Sequence, residues 1–404
     1  MNITDIGYTL WFNDFVIDGE DIIFSSGSFN GLFRADLRTG RSDFLGFFPG
    51  EDMLGVHLYC GTYKYKNNIL FIPAWGRQFS VYDKSNKSFV SIRDGVYSKT
   101  DNLFWYKYYG SIQVEKYVYV FGGMVPEILR IDMEKLEIKY YDGWLEELYS
   151  LGRLERRPFF YKDVCLVDNS IFVVSGQNNS ILELNIERDS ILIHPIGERG
   201  EIYDTIAYDG GYFWLTQQAK RIIKVNKANW NIQHEDLVNK NLANCFLSSV
   251  VLHGEVFLFP DKLGNTIKFL CKDCLTRDIP VLYGKPDKWY PNDNAQNIYF
   301  VKKITEDKLV FLCAQDCQLH IWDQKGEQCR KKFQWENAAM DYYNGLYSIS
   351  NTMTIAELLH QKVPSYNLEN FIYFVKRGRA KKNNLEKTFN NGNAIHAYIR
   401  DLEI

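Results

Sequence analysis

The sequence predicts an all-β fold built from repeated four-stranded units, and three observations indicate it. A short apolar run, a polar turn and a second apolar run recur seven times along the 404 residues. The copies begin 42 to 53 residues apart, which is enough chain for four short strands. No amphipathic helical pattern of adequate length separates the apolar runs. Four strands in about 45 residues are typical of a propeller blade, so the sequence predicts a seven-bladed β-propeller of four-stranded blades.

The seven copies can be placed in order by their first apolar residue. They begin at Ile22, Ile69, Val118, Ile171, Phe213, Val256 and Leu309. In six copies the second run ends in an Asx residue, at Asp36, Asp83, Asp132, Asn185, Asn226 and Asp323. Because an Asx side chain there can bond the backbone of the next turn, we interpret these six residues as structural. The sixth copy has Cys271 and Lys272 instead.

The end of the repeat pattern predicts a domain boundary. Residues 1–339 are expected to form the propeller, and residues 340–404 a small, mostly helical C-terminal extension packed on or near it. Within the extension, Leu368, Phe371, Ile372 and Val375 have helical spacing. The extension is a candidate for capping the ring or for carrying a helix that binds a partner.

Composition narrows the classes of function. A net charge of -3 gives no general attraction to nucleic acid or to an anionic membrane. The N-terminal stretch lacks the apolar segment of a signal peptide, and no apolar run approaches the ~18 residues of a spanning helix. Eight cysteines without a secretion signal indicate a reducing compartment. We therefore expect a cytoplasmic protein with free thiols, no nucleic-acid partner and no membrane span.

Loop lengths predict which face of the ring binds a ligand. One face of a propeller carries the connections between blades and the turns between second and third strands. Here the connections between blades are long, whereas the turns on the opposite face, between first and second and between third and fourth strands, are short. We call the face with the long connections the long-loop face; long loops on a rigid scaffold are where binding concentrates. The candidate ligand-binding residues there are Trp75, Arg77, Gln78, Tyr106, Gln177, Asn178, Gln217, Gln218, Lys262 and Trp289. Amides and aromatic rings suit hydroxyl-rich or peptide ligands, although polar turns also occur simply because they meet water.

Catalytic and metal-binding motifs are sparse. His57, on the long-loop face, is the best candidate for a general acid or base, and it is a weak one. Cys271 with Cys274 and Cys313 with Cys317 have spacings that invite a four-thiolate zinc site. The two pairs are expected at opposite ends of a strand, roughly 17 Å apart. We therefore expect no metal, and no motif predicts a cofactor.

Two stretches carry a resemblance to a known group of propellers. LWFNDFVIDGEDIIFSSGSFNGLFRADLRTG and NNILFIPAWGRQFSVYD, with the other repeats, resemble bacterial kelch-like or NHL-like seven-bladed propellers over roughly four fifths of the chain. The two stretches, and the ending GNAIHAYIRDL, look most like uncharacterised propellers from glycan-biosynthesis gene neighbourhoods. The resemblance implies a propeller fold and says little about function.

These observations favour a non-enzymatic binding or scaffold protein that recognises a glycan, peptide or protein on the long-loop face. The alternative is a lyase or hydrolase acting on a sugar or peptide, with a site at the channel mouth built from His57, Arg77, Gln177, Gln217 and tyrosines. A third possibility is an interaction platform that uses the helical tail.

Overall fold

Seven four-stranded antiparallel sheets and one α-helix make up the described part of the chain. The computed structural model describes residues 10–27, 29–51, 55–93, 106–151, 157–217, 221–236, 246–260, 266–270, 276–280, 298–313, 317–323 and 326–333. The predicted C-terminal extension lies outside these residues. Each sheet contains four consecutive strands hydrogen-bonded in sequence order, and we number the sheets as blades 1 to 7.

The first four blades have the following strands. Blade 1 contains β1 (Val16–Asp18), β2 (Asp21–Ser25), β3 (Leu32–Asp36) and β4 (Ser42–Gly46). Blade 2 contains β5 (Tyr59–Tyr65), β6 (Asn68–Pro73), β7 (Phe79–Asp83) and β8 (Ser88–Arg93). Blade 3 contains β9 (Tyr108–Val114), β10 (Tyr117–Gly122), β11 (Ile128–Asp132) and β12 (Glu137–Tyr140). Blade 4 contains β13 (Phe160–Val167), β14 (Ser170–Ser175), β15 (Ser180–Asn185) and β16 (Ser190–Pro195).

The last three blades complete the set. Blade 5 contains β17 (Thr205–Tyr208), β18 (Tyr212–Gln217), β19 (Arg221–Asn226) and β20 (Ile232–Asp236). Blade 6 contains β21 (Phe246–Leu252), β22 (Glu255–Pro260), β23 (Thr266–Leu270) and β24 (Thr276–Pro280). Blade 7 contains β25 (Ile298–Thr305), β26 (Lys308–Cys313), β27 (Leu319–Asp323) and β28 (Gly326–Lys331).

The apolar runs of the repeat are the second strands, and the structure shows why they are continuous. β14 is buried along its whole length, whereas the fourth strand β16 is mostly exposed. A second strand packs against the neighbouring blades on both of its sides, so an apolar residue is stabilising at every position. A fourth strand lies at the outer edge and keeps its polar side chains in water.

Buried clusters join each blade to the next. Seven separate apolar clusters lie between neighbouring blades of the described chain, and the one between blades 7 and 1 closes the ring. There, the rings of Phe12 and Phe300 stack at 5.6 Å. The Lys302 ammonium also donates to the Asp14 carboxylate at 2.8 Å. The prediction of an all-β propeller of four-stranded blades is therefore confirmed.

The predicted role of the Asx residues is also confirmed wherever the following turn is described. Asp36 Oδ1 accepts the backbone N–H groups of Arg38 and Thr39 at 2.6 and 2.9 Å. Asp132 Oδ1 accepts those of Glu134 and Lys135 at 2.9 and 3.0 Å. Equivalent bonds follow Asp83, Asn185 and Asn226. These side chains stabilise the turns between third and fourth strands.

One helix was not expected from the sequence. Helix α1 (Trp144–Ser150) lies in the connection between blades 3 and 4, and its preceding residue Gly143 provides no side-chain cap. The helix buries Trp144 and Leu148 in the cluster shared by those two blades. In the part of the chain that the structure describes, no helix is long and apolar enough to cross a membrane.

Candidate ligand-binding site

The first strands of all seven blades line a central channel of about 810 Å³. This volume lies within the range of roughly 300 to 1,000 Å³ that is usual for ligand pockets. The polar side chains on the channel wall include Asn13, Asp14, Thr62, Ser111, Lys162, Asp163, Ser248, Ser249 and Lys302. The channel therefore offers both a ligand-sized space and charged groups.

Irregularities in the first strands shape the end of the channel near the long-loop face. In five blades, the pairing of the first strand with the second shifts close to that end. The shift leaves Cys60, Tyr109, Leu247 and Tyr299 as extra residues, and in blade 4 it spans residues 161–163. A bulge re-aims neighbouring side chains, so alternation along these strands does not determine which residues face the channel.

An aromatic cluster lies at this mouth of the channel. We call Trp11, His57, Trp75, Tyr106, Tyr109 and Tyr299 the mouth cluster. The Trp11 and Tyr299 rings stack at 4.4 Å. The His57 ring lies 4.5 Å from that of Trp11 and 4.9 Å from that of Trp75. Tyr106 stacks on Tyr109 at 5.2 Å. The rings therefore form one connected cluster, in which Trp11 and Tyr299 are buried.

Hydrogen bonds fix His57 within the cluster. Its Nδ1 lies 2.8 Å from the Tyr106 hydroxyl and 3.3 Å from Asn13 Oδ1. Protein surrounds the ring although part of its surface stays accessible, and this burial lowers the pKa of His57 to about 4. The imidazole is therefore neutral near pH 7. A neutral ring with a pKa this low is a weak base and cannot serve as a general acid at that pH.

The Trp75 indole has an unused donor. Its Nε1 atom is buried and has no hydrogen-bond acceptor among the described residues. A buried N–H without a partner costs about 1 to 3 kcal/mol. Such a donor in an otherwise well-paired turn indicates a group that a ligand can satisfy.

Two glycines allow the aromatic rings to lie against the turns. A Cβ atom at Gly27 would be 2.0 Å from the Trp11 ring. A Cβ atom at Gly123 would be 2.4 Å from Tyr109 and 2.3 Å from the Tyr106 carbonyl oxygen. Any larger residue at these positions would displace members of the mouth cluster.

The turn that carries Trp75 is held by two buried ionisable groups. Glu51 Oε1 accepts the backbone N–H groups of Arg77 at 2.7 Å and Gln78 at 3.1 Å. The Lys107 ammonium donates to the Gly76 carbonyl at 2.6 Å, and burial lowers the pKa of Lys107 to about 8. Burial raises the pKa of Glu51. Because both groups come from connections between blades, the turn is rigidly placed beside the mouth.

Three of the predicted site residues use their amides inside the protein. Gln78 Nε2 donates to the Pro49 carbonyl. Gln177 Nε2 donates to the carbonyls of Arg157 and Pro158, at 2.5 and 3.0 Å. Asn178 Nδ2 donates to the Leu148 carbonyl at 3.3 Å. Ligand binding by Gln78, Gln177 and Asn178 stays a prediction, and it would require these amides to exchange their partners.

The structure brings only some of the other predicted residues together. His57, Trp75 and Tyr106 meet in the mouth cluster, with the half-buried Arg77 in the adjoining turn. Gln217 ends β18, half-buried and opposite Arg221. The remaining candidates, Gln218, Lys262 and Trp289, lie outside the described residues.

Below the mouth, the channel wall carries four ionisable side chains that the sequence did not single out; Asp163 is buried, and Asp14, Lys162 and Lys302 are half-buried. Asp163 accepts the Ser248 hydroxyl at 2.6 Å, and the Ser249 amide and hydroxyl at 2.6 and 2.9 Å. Burial nevertheless raises the pKa of Asp163 to about 6. Lys302 pairs with Asp14 as described above, whereas the one hydrogen bond of Lys162 within the described ranges goes to the Tyr299 carbonyl, at 3.2 Å.

A sequence signal for these missed residues exists but is weak. In YKDVCLV, Lys162 and Asp163 interrupt an otherwise apolar strand, and Trp11 and Asn13 stand just before the first repeat. Charged residues inside a strand of a repeat face either solvent or an internal polar cavity. The sequence of the strand alone does not distinguish these two environments.

One of the two cysteine pairs falls among the described residues. Cys313 and Cys317 are buried there, while Cys271 and Cys274 lie outside the described residues. Across the described ranges, no group of three or more His, Cys, Asp or Glu side chains is arranged to hold a metal ion.

A closed ring of four-stranded blades around a channel defines a β-propeller, and solved bacterial propellers have the same fold. A catalytically inactive virginiamycin B lyase from Staphylococcus aureus, in a structure with Quinupristin, is 12% identical with a TM-score of 0.54, over 79% of this chain and 96% of that one. A streptogramin B lyase is 14% identical with a TM-score of 0.53, over 79% and 94%. BamB from Moraxella catarrhalis is 8% identical with a TM-score of 0.50, over 78% and 84%. At such identities the likeness shows the fold alone.

Sequence comparison adds nothing to this assignment. No protein-family model matches the chain, and no curated protein matches it. The chemistry must therefore be argued from the site itself.

Proposed function

We propose that this propeller is a non-enzymatic binding protein that holds a glycan or peptide segment at the mouth of its central channel. The observation that carries the proposal is the mouth cluster, whose buried Trp75 N–H has no acceptor among the described residues. Aromatic faces stack on sugar rings and on peptide side chains, and an indole N–H donates to a hydroxyl or carbonyl oxygen. The channel beneath has the volume of a ligand site.

Binding is favoured over catalysis by the state of His57. The imidazole is neutral near pH 7, and its Nδ1 is shared with Tyr106 and Asn13 rather than with a carboxylate. General acid–base work needs a pKa near the working pH and, for histidine, a group that stabilises the charged ring. The lyase or hydrolase alternative therefore becomes an outcome of the test below.

The wider setting is also part of the proposal. The resemblance to propellers of glycan-biosynthesis gene neighbourhoods makes a glycan the first ligand class to examine, with kelch-like or NHL-like relatives. We place the protein in the cytoplasm, because eight cysteines are most compatible with a reducing compartment and the five described ones are free thiols.

The test screens the full-length protein on glycan and peptide arrays and then titrates each hit by calorimetry. Trp75→Leu removes both the ring and its donor, and we expect it to weaken binding at least about tenfold, the loss of one stacked aromatic contact. Trp75→Phe keeps a ring but lacks the N–H, and should give a smaller loss. Trp230→Phe is the matched control, since Trp230 stacks on His194 at 4.1 Å in blades 4 and 5, away from the mouth.

Three results would contradict the proposal. Equal binding by Trp75→Leu and the natural chain would move the ligand away from the mouth. An array that yields no ligand at all would remove the binding function. Conversion of a hit to product, lost in His57→Phe, would establish the enzymatic alternative instead.

A further inference from the structure

Lys162 has unused hydrogen-bonding capacity inside the channel. It lies in the bulged part of β13, and its ammonium donates to the Tyr299 carbonyl at 3.2 Å. An ammonium has three donors. Two donors of Lys162 therefore have no acceptor within the described part of the chain.

Lys302, another channel lysine in this region, has a carboxylate partner, which makes the contrast informative. Lys302 donates to Asp14 at 2.8 Å and to the Phe15 carbonyl at 2.6 Å. Lys162, by contrast, has no carboxylate at ion-pair distance among the described residues, because the neighbouring Asp163 is occupied by Ser248 and Ser249. Lys162 is half-buried; desolvation lowers its pKa, and the nearby Asp14 and Asp163 carboxylates offset part of this effect.

A second free donor lines the same channel. The Tyr63 hydroxyl donates to Ser111 Oγ at 2.9 Å, so the proton of the Ser111 hydroxyl remains available. No acceptor for it occurs among the described residues. Lys162 and Ser111 thus both have donors without an acceptor among the described residues, while each oxygen of Asp14 and Asp163 already accepts at least one hydrogen bond.

Lys162 is also directly connected to the mouth. Tyr299 accepts its hydrogen bond through the backbone carbonyl, and the ring of the same Tyr299 stacks on Trp11. Tyr299 therefore links the Lys162 ammonium to the mouth cluster. A ligand held at the mouth cluster could extend a charged group to Lys162 through the channel.

We propose that Lys162 binds an oxyanion, a carboxylate or a phosphate, that belongs to the ligand at the mouth cluster. This inference rests on the proposed function and specifies its ligand as an acidic glycan or an acidic peptide segment. The oxyanion would accept the two free N–H groups of Lys162 in charge-assisted bonds. The Ser111 hydroxyl is a second donor on the same channel wall.

The test uses small anions that need no mouth contact. The full-length protein is titrated by calorimetry with sodium acetate and with inorganic phosphate, at ionic strength matched with sodium chloride. We expect saturable binding of at least one anion, and the preferred one identifies the ligand group as carboxylate or phosphate. Lys162→Met should lose about ten- to hundredfold in affinity, the range for hydrogen bonds to a charged group.

Two further variants keep the result interpretable. Ser111→Ala leaves the cation in place and should lose a smaller factor, so it reports on the site even if Lys162→Met folds poorly. Lys66→Met is the matched control, because Lys66 is exposed and pairs with Glu134 at 2.6 Å. Unchanged anion binding in Lys162→Met, or equal losses in Lys66→Met, would overturn the inference.

The outcome is separable from that of the proposed function. Trp75→Leu should keep its affinity for acetate or phosphate while losing array ligands. If array ligands require Trp75 but the natural chain binds neither anion, the inference about Lys162 is wrong and the proposed function stands. If an anion binds through Lys162 but no array ligand depends on Trp75, the inference about Lys162 stands and the proposed function is wrong.

Discussion

The channel wall and its mouth both bury polar groups, but these groups differ in their hydrogen bonds. On the wall, Asp163 accepts three hydrogen bonds from Ser248 and Ser249. At the mouth, the Trp75 N–H is equally buried and has no acceptor among the described residues. A group with its hydrogen bonds made supports the structure, whereas unused capacity calls for an explanation, and for Trp75 the explanation that we propose is ligand binding. Lys162 is next to Asp163 in the chain, but it resembles Trp75 in having donors without an acceptor among the described residues.

The largest expected effect on stability concerns the channel wall at Asp163. Asp163→Ala leaves the two serine hydroxyls and the Ser249 amide without their acceptor, and we expect it to lower the free energy of unfolding by about 3 to 4 kcal/mol. Lys162→Met removes a group with one weak bond and should change stability by about 1 kcal/mol or less. Urea denaturation at pH 7 measures both. Similar losses in the two variants would break the distinction between used and unused capacity.

The second prediction concerns pH. As pH falls, His57 at the mouth lowers the free energy of unfolding, whereas Asp163 on the channel wall raises it. Because the folded pKa of His57 is about 4, below its usual 6.5, the unfolded chain takes up this proton first, and stability falls as pH drops from 6.5 to 4. Because the folded pKa of Asp163 is about 6, above its usual 3.8, its contribution is full below pH 3.8 and is lost as pH rises through 6. Each effect is on the order of 3 kcal/mol.

Single substitutions separate these two contributions. Relative to the natural chain, His57→Phe should gain stability as pH falls from 6.5 to 4, and Asp163→Asn should lose it between 6 and 4. Urea denaturation across this range measures the differences, in which the other titrating groups cancel. Difference curves that stay flat with pH would show that neither region is enclosed as described.

The smallest expected effect compares two residues of one turn. Gln78→Ala removes a bond to the Pro49 carbonyl and should lower the free energy of unfolding by about 1 kcal/mol, with array ligands still bound. Trp75→Phe removes an unsatisfied donor and should leave stability unchanged or slightly higher. Unfolding and array binding are measured together on both variants. Loss of ligand binding in Gln78→Ala would return that amide to the site.

Much of the fold was predictable because it repeats. The spacing of the apolar runs and the Asx residues at their ends reflect local rules that every blade obeys, and Asp36 and Asp132 form the expected turn bonds. Helix α1 was not predicted because it is seven residues long and follows Gly143, which provides no side-chain cap. Its stability comes from burying Trp144 between two blades, which no local pattern reveals.

The site was predictable only in part, for a related reason. Loop length predicted that His57, Trp75 and Tyr106 share one face, and the structure shows that these three residues meet at the mouth. Tyr299 and Lys162 were missed because both lie in bulges of first strands, where the alternation of facing residues is interrupted. Groups from different blades converge only in three dimensions, so their unused donors could be recognised only from the structure.

The contact between blades 7 and 1 has a mechanical consequence. Each described blade is made of four consecutive strands, and among the described residues no strand from one end of the repeat array joins the sheet at the other end. Among the described residues, the seam is closed by side chains, such as Phe12 on Phe300. The seam has the same kind of apolar side-chain packing as the six other boundaries between blades. A circular permutant that starts between any two blades should close the same ring, and pulling on the ends of the array should open it at this seam first.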